Sequence, residues 1–291
     1  MRNKTIIYNV LTVATATALS FTSCVKDELF DTPHPDKGAV VVRADFSERS
    51  ASCTAPAEYL LHHTCCEAAE PCTMPGGDEK CHPELFTPGS HTFHAWNACG
   101  KMTVTDGTIK VNETAPGTIE SMPGYLFTTR EEKEIVKDDT THVEIKMLQR
   151  TRDLRLELTV TEGDPELIAS VRGTLTGVAG AFDLAGQTVT GNAVNATVAF
   201  TRDGDKLTAG ARLLGFIGTV PTLTLEIAFT DGRTQTVLHD SFAEAVKDFG
   251  KDMTETLVLT NRLNTPVEAG MTATIEEWKP GNGGGEDVEV N

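Results

Sequence analysis

The sequence predicts an all-β protein with two β-sandwich domains in tandem. Many short segments alternate apolar and polar residues, the pattern of strands with one buried and one wet face. Turn dipeptides such as Asp-Gly and Pro-Gly separate these segments. Aromatic residues make up only 6% of the chain and threonine is frequent, which favours strands over helices. With 291 residues, the chain also exceeds the usual size of a single domain.

The N-terminal segment has the pattern of a bacterial lipoprotein signal peptide. Two basic residues precede an apolar run over 6–21. This run is shorter and more polar than a membrane-spanning helix, which needs about 20 predominantly apolar residues. Ser23 stands before Cys24, which predicts removal of 1–23 and lipidation of Cys24. An ordinary cleaved signal followed by a chance cysteine is the alternative. A tether over 24–37 follows.

Net charge narrows the class of partner. The chain carries 42 acidic and 25 basic residues, a formal charge of −17, and loss of the two basic residues of the signal makes it −19. Nucleic acids and anionic lipid surfaces are bound by clustered lysine and arginine. The composition therefore argues against nucleic acid as a partner and suits an exposed surface protein.

The first predicted domain spans 38–148. It opens with a strand over 38–46 whose start is apolar on both faces. Asp106-Gly107 predicts a hairpin over 102–111, because this dipeptide is a strong hairpin signal. A short helix or strand is expected over 57–63. Further strands are predicted over 90–99, 125–129 and 141–148.

The same domain holds all six cysteines that follow Cys24. They are Cys53, Cys65, Cys66, Cys72, Cys81 and Cys99. Because an exported chain permits disulfides, we expect an irregular, disulfide-stapled insertion over 48–88, with a connectivity that the sequence does not choose.

Three histidines near these cysteines raise the alternative of a metal site. They are His62, His63 and His82. Zinc sites of the finger type need paired cysteines at short spacing, and no CxxC occurs. Disulfides are therefore favoured, with zinc or free thiols as alternatives.

The second predicted domain spans 149–279 and opens with four apolar–polar repeats. Asp231-Gly232 marks a turn between two of its strands. A Gly-rich acidic tail over 280–291 is expected to be disordered. Strands are predicted over 152–161, 171–175, 195–200, 212–216, 222–229, 234–238, 254–259 and 271–278.

One helix is predicted in this domain, over 241–249. Ser241 is its expected N-cap, Glu244 stands at the capping-box position and Gly250 ends it. A single helical turn is expected over 164–170.

No residue set predicts catalysis. The GxSxG, P-loop and HExxH motifs are absent from the sequence. The Asp203-Gly204-Asp205 sequence hints at calcium but lacks the other ligands, so a hairpin turn is favoured. Trp96 and Trp278 lie in predicted strands and are expected in the core. We expect neither enzymatic activity nor a cofactor.

Five short motifs occur together along the chain. They are Ser23-Cys24 with its acidic continuation, 31–35 (DTPHP), Pro123-Gly124-Tyr125, 173–184 (GTLTGVAGAFDL) and Trp278 after an alternating strand. In this combination the chain resembles the minor fimbrial subunits of Bacteroidales, the fimbrillin-like anchor lipoproteins of type V pili. The resemblance covers most of the mature chain, but the cysteine-rich insertion is not part of the family pattern.

The resemblance implies two transthyretin-like β-sandwich domains and transport as a lipoprotein to the outer membrane. It makes Lys26-Asp27-Glu28 a surface-export signal and fimbrillin-type pilus subunits the partners. Such subunits join by strand exchange, in which a segment of one chain pairs with an exposed sheet edge of another. The candidate exchanged elements are 38–46 and 271–278. Alternatively, both are ordinary strands of closed sandwiches.

The expected function follows from these points. The chain is expected to be a lipid-anchored, surface-exposed outer-membrane protein that acts as a fimbrial anchor or accessory subunit in pilus assembly and cell adhesion. The alternative is a stand-alone surface lipoprotein that binds a glycan or protein ligand.

Overall fold

The computed structural model describes residues 36–64, 70–265 and 272–281. The predicted signal peptide, Cys24 and most of the tether lie outside these residues, as do Cys65, Cys66 and most of the predicted C-terminal tail. The predictions made for those segments stay predictions.

The described chain is mostly β-strand, which confirms the all-β class. The first half contains Ala39–Asp45 (β1), Glu58–His63 (β2), Cys72–Pro75 (β3), Lys80–Cys81 (β4), Gly89–Trp96 (β5), Met102–Thr105 (β6), Thr108–Val111 (β7), Glu113–Ala115 (β8), Thr118–Ile119 (β9), Phe127–Ile135 (β10), Thr140–Lys146 (β11) and Leu148–Gln149 (β12).

The second half adds nine strands and two short helical pieces. The strands are Arg152–Glu162 (β13), Ile168–Asp183 (β14), Thr188–Asp203 (β15), Lys206–Leu213 (β16), Leu223–Phe229 (β17), Thr234–Leu238 (β18), Leu257–Asn264 (β19), Thr274–Ile275 (β20) and Lys279–Pro280 (β21). A 3-10 turn covers Pro165–Leu167 and a helix covers Phe242–Ala245 (α1).

Three sheets arise from these strands. A three-stranded sheet has the order β11-β1-β4, and a five-stranded sheet has the order β12-β10-β5-β2-β3. The largest sheet has the main order β18-β17-β14-β15-β16-β13-β19-β20, with β21 also on β19. Strands β7 and β9 join this sheet through β14 and β15, and each carries a neighbour, β6 and β8.

Two hydrophobic cores fill the molecule. The smaller core takes its side chains from the first half and includes Val42, Phe93 and Ile145. The larger core lies mainly in the second half, but Ile109 and Ile119 also belong to it. A stretch of the first half therefore packs with the second, while the domain bounds at 148 and 149 stay a prediction.

Polar side chains connect residues of the two halves. Tyr125 donates a hydrogen bond from its hydroxyl to Asp153 Oδ2 at 2.6 Å. Arg212 donates from Nε to Asp153 Oδ1 at 2.7 Å, and its guanidinium carbon lies 3.5 Å from the centroid of the Tyr125 ring. Asp153 therefore accepts from both neighbours, and Tyr125, part of the Pro-Gly-Tyr motif, is fixed by charge and by stacking.

Short-range signals were accurate. The predicted hairpin over 102–111 is confirmed as β6 and β7, with positive φ at Asp106 (49°) and Gly107 (72°), as a type I′ turn requires. β13 alternates buried and half-buried residues, as its sequence indicates. Asp203-Gly204-Asp205 forms the turn between β15 and β16.

The central hairpin is longer than predicted. β14 and β15 have 16 residues each, where short strands over 171–175 and 195–200 were expected. Their pairing shifts register between Leu175 and Val178, and again between Ala179 and Ala181. A bulge moves the following side chains to the other face, so the alternation by which a strand is recognised breaks there.

The predicted irregular insertion over 48–88 is also more regular than expected. β2 alternates exposed or half-buried residues with buried Tyr59, Leu61 and His63, and it pairs with both β3 and β5. This region is therefore built into the five-stranded sheet, because its apolar alternation fits a half-buried strand.

The predicted helix over 241–249 is wrong in length. Only Phe242–Ala245 is helical, and the Ser241 side chain makes no capping bond. Its hydroxyl instead accepts a hydrogen bond from the Trp278 backbone N–H at 2.9 Å. Phe242, Val246 and Phe249 are buried, so the apolar spacing reflects packing onto the core through successive turns.

Candidate interaction surfaces

The last described segment, 272–281, forms an edge of the large sheet. It pairs with β19 in two separate stretches: β20 lies opposite Leu263 and Asn264, and β21 lies opposite Leu259 and Thr260. Between them the Asn261 side-chain amide donates to the Glu276 carbonyl at 2.9 Å, where a ladder would use a backbone donor. The predicted continuous strand over 271–278 is therefore wrong; Met271 itself lies outside the described residues.

The interruption has a cause in the sequence. Ala273 and Ile275 are buried as an alternating strand requires, but Glu276 and Glu277 are both exposed and Trp278 is buried again. Two consecutive exposed residues break the period of two, so a regular ladder cannot continue through them.

Trp278 attaches this edge to the core. It is 3% exposed, and its ring makes a T-shaped contact with Phe242 at 6.4 Å between centroids. Its indole Nε1 is buried and has no hydrogen-bond partner among the described residues. The edge segment is therefore held by buried side chains and an interrupted ladder. Trp96 is also buried, which confirms both tryptophans as core residues.

β1, the other predicted exchange element, is an inner strand of its small sheet. It pairs in parallel with β11 along its whole length, but antiparallel with β4 only at Val41 and Val42. A bridge from Gly38 to Phe86 closes the start of the same side. Within the described ranges, no strand pairs with the far end of β1 on that side.

The four described cysteines are free thiols. They are Cys53, Cys72, Cys81 and Cys99. The predicted disulfides are thus not formed among residues 36–64, 70–265 and 272–281, and any pairing of Cys65 or Cys66 stays a prediction. Burial raises the pKa of the Cys53 thiol and raises that of Cys99 to about 11. Both are protonated at neutral pH and are poor nucleophiles.

Four histidines of the first half are buried. They are His63, His82, His91 and His94, here called the buried histidines. Three of them surround the Phe86 ring at centroid distances of 4.7, 4.9 and 5.4 Å. Phe86 forms a backbone bridge with Gly38, just before β1, and the His82 backbone N–H donates to the Val40 carbonyl at 2.8 Å. Phe86 and His82 therefore lie beside the candidate exchange strand.

Hydrogen bonds fix several of the rings. His82 Nδ1 accepts from the Glu84 backbone N–H at 3.1 Å, and His63 Nε2 lies 3.3 Å from Glu84 Oε2. His91 Nε2 donates to the Thr87 carbonyl at 2.7 Å, and its buried Nδ1 has no hydrogen-bond partner among the described residues. Burial lowers the pKa of His63, His82 and His94, so the neutral form is favoured.

The histidine neighbourhood was only partly visible in the sequence. His62, His63 and His82 stood out beside the cysteines, but His91 and His94 read as ordinary strand residues, and only the pairing of β2 with β5 brings them together. No group of three or more histidine, cysteine or acidic side chains in the described part is arranged to hold a metal ion. Within the same residues, no helix is long and apolar enough to span a membrane.

Solved structures share this fold at low sequence identity. The fimbrial anchor protein Mfa2 from Porphyromonas gingivalis is 12% identical, with a TM-score of 0.60 over 85% of this chain and 98% of that one. An adhesin candidate from Bacteroides ovatus is 13% identical, with a TM-score of 0.59 over 86% and 95%. A candidate polysaccharide-binding protein from Bacteroides thetaiotaomicron is 9% identical, with a TM-score of 0.55 over 78% and 92%.

Sequence comparison identifies the family. No curated protein sequence shows significant similarity to the chain. The family model of fimbrillin-A associated anchor proteins Mfa1 and Mfa2 matches residues 75–281, which is more than half of the chain and runs from the end of β3 through the edge segment. The resemblance seen in the short motifs is thereby confirmed, and the chain belongs to the family of fimbrillin-A associated anchor proteins.

Proposed function

We propose that the protein is an outer-membrane surface lipoprotein that acts as a fimbrial anchor or accessory subunit in pilus assembly and adhesion. Family membership supports a fimbrial or adhesin role and a cell-surface or fimbrial location, and the family consists of structural proteins rather than enzymes. Cys24 would carry the lipid, and Lys26-Asp27-Glu28 would direct the protein to the surface. The two or three acyl chains of a bacterial lipoprotein give stable membrane attachment.

The interrupted C-terminal edge carries the assembly part of this proposal. A continuous strand would pair with β19 along its whole length. Residues 272–281 instead pair with β19 only in two short stretches. The side chains of Ala273, Ile275 and Trp278 fill positions in the larger core. An extended segment of a partner can replace such an edge, pairing with β19 and seating its own apolar side chains in the same positions.

A fimbrillin-type pilus subunit is the proposed partner. Backbone pairing supplies affinity that is independent of sequence, while the core positions select small, branched and aromatic side chains. The exposed backbone of an unoccupied edge would otherwise invite aggregation, so the resident segment serves as its cover before assembly.

The first experiment is a pull-down of the native lipoprotein from its outer membrane, with electron microscopy of the eluate. Co-purified fimbrillin subunits or filaments are expected. A variant lacking 269–291 leaves β19 without its resident cover and should retain or gain these partners, whereas a control lacking only 282–291 keeps the edge segment and should match the intact chain. Loss of the partners only in the first variant would refute the replacement of this edge. A clean monomer from the intact chain would contradict the pilus role.

The lipid anchor has its own test. We expect Cys24→Ser to move the protein from the membrane fraction to the soluble fraction, because the acyl chains need the cysteine sulfur and amine. Unchanged fractionation of this variant would refute Cys24 as the lipidated residue.

A further inference from the structure

A cleft opens on the larger core. It lies between the turn that joins β14 to β15, the loop after β16 and the turns that follow α1, and its volume is about 300 Å³. Most of its lining is apolar, including Val189, Leu214, Phe216 and Met253. This volume is at the lower end of the range for ligand pockets, about 300 to 1,000 Å³, and suits a small ligand or the end of a chain.

Arg150 lies in the wall of this cleft. Its Nε donates to Thr128 Oγ1 at 2.9 Å and its Nη2 donates to Gln187 Oε1 at 2.6 Å. The guanidinium carbon lies 5.3 Å from the centroid of the Phe182 ring. Both hydrogen-bond acceptors are neutral, and no carboxylate lies within ion-pair distance of Arg150 among the described residues.

The two other partly buried arginines of this region are compensated differently. Arg212 pairs with the Asp153 carboxylate at 2.7 Å. Arg152 donates to the backbone carbonyls of Glu255 and Phe249, both at 2.6 Å. Neither one lines the cleft. The chain has 42 acidic residues, yet Arg150 borders a cavity and pairs with no carboxylate among the described residues. A carboxylate ligand in the cleft would therefore complete an ion pair with it.

The backbone of Gln187, which holds the Arg150 guanidinium, is strained. Gln187 has a φ of 53°, in the left-handed region that residues other than glycine rarely adopt. Its amide holds Arg150 through Oε1 and donates from Nε2 to the Leu184 carbonyl at 2.7 Å. Backbone strain of this kind persists where the surroundings enforce it, and it clusters at ligand sites. Here it fixes the guanidinium at the cleft wall.

We propose that this cleft binds an organic anion with a carboxylate head and an apolar body. The carboxylate pairs with the Arg150 guanidinium, whose planar geometry matches two oxygens. The apolar body packs against Phe216, Val189 and Met253. Lys247 also lines the cleft but is already paired with Glu244, so it adds attraction without being the anchor. No residue of the described edge segment 272–281 lines the cleft.

The test is calorimetric titration of the full mature chain with N-acetyl-L-phenylalanine and, as a matched control, its neutral amide. Saturable binding of the acid and at least about tenfold weaker binding of the amide are expected, since charge-assisted hydrogen bonds are the strong ones. Glucuronate, an acid without an apolar body, should also bind more weakly. No binding of the acid, or equal binding of acid and amide, would overturn the proposal.

Two variants locate the site. Arg150→Met should abolish the preference for the acid, while Lys247→Met should keep it. Gly250 lines the cleft and has open space beyond its α-carbon, so Gly250→Val narrows the cleft without touching Arg150 and should also weaken binding. Undiminished binding by both Arg150→Met and Gly250→Val would refute the location.

A short peptide ending in phenylalanine identifies the source of the carboxylate. If it binds more tightly than the single acid, the cleft favours the end of a peptide chain. If only the single acid binds, the ligand is a free small molecule. Either result supports the cleft as a carboxylate site.

Discussion

Truncating Trp278 should loosen the C-terminal edge of the large sheet. The side chain is 3% exposed and contacts the Phe242 ring, and truncation of such a buried aromatic costs about 4 kcal/mol. Its Nε1 has no hydrogen-bond partner among the described residues, so removing it returns about 1 kcal/mol of desolvation cost. The expected loss in the free energy of unfolding for Trp278→Ala is therefore about 3 kcal/mol.

Urea denaturation followed by circular dichroism measures this loss. Trp278→Phe is the matched control, because it keeps a ring against Phe242 and removes the unpaired N–H, and it should cost about 1 kcal/mol or less. A loss below about 1 kcal/mol for Trp278→Ala, with an unchanged dependence on urea, would mean that Trp278 does not attach the edge to the core.

Three further predictions follow from the fold. Stability should fall as the pH drops below about 6.5, because histidines of the unfolded chain then bind protons before His63, His82 and His94, whose pKa values burial lowers in the folded protein. The free energy of unfolding should change by at most about 1.4 kcal/mol per pH unit for each histidine. Urea midpoints measured across this pH range test the prediction, and a flat profile would contradict it. Asp153→Ala should cost about 2 kcal/mol or more, since it leaves Arg212 partly buried without its carboxylate, whereas Glu166→Ala, which breaks the surface pair with Arg202, should leave the melting temperature unchanged; equal effects would refute the distinction. Gly107→Ala should cost about 1 kcal/mol in the same urea assay, because a φ of 72° disfavours a β-carbon, and no loss would argue against the type I′ turn.

Local features of the fold were predictable from the sequence. The Asp106-Gly107 turn depends on two adjacent residues, and β13 depends on alternation within one segment. Such signals need no information from distant parts of the chain, and the structure reproduces them within a residue or so.

Features that depend on distant partners were not predictable. The bulges in β14 reverse which face is buried, so its length is set by pairing with β15, β17 and β7. Ser241 reads as a helix cap, but its hydroxyl is taken by Trp278, which lies 37 residues later.

The candidate sites follow the same rule. The cysteines and three histidines were conspicuous in the sequence, whereas Arg150 was one charged residue among many. Its significance depends on Gln187 and on the lack of a carboxylate partner among residues 36–64, 70–265 and 272–281, and both are properties of the folded chain.

The long hairpin of β14 and β15 makes the resistance to a pulling force depend on its direction. At about 3.3 Å per residue, strands of 16 residues extend roughly 50 Å, and β14 also pairs with β7 and β17. A pull along these strands loads many backbone hydrogen bonds at once, while a pull across them opens the pairs one by one. In the proposed anchoring role, a filament whose load runs parallel to this hairpin would meet the greatest resistance.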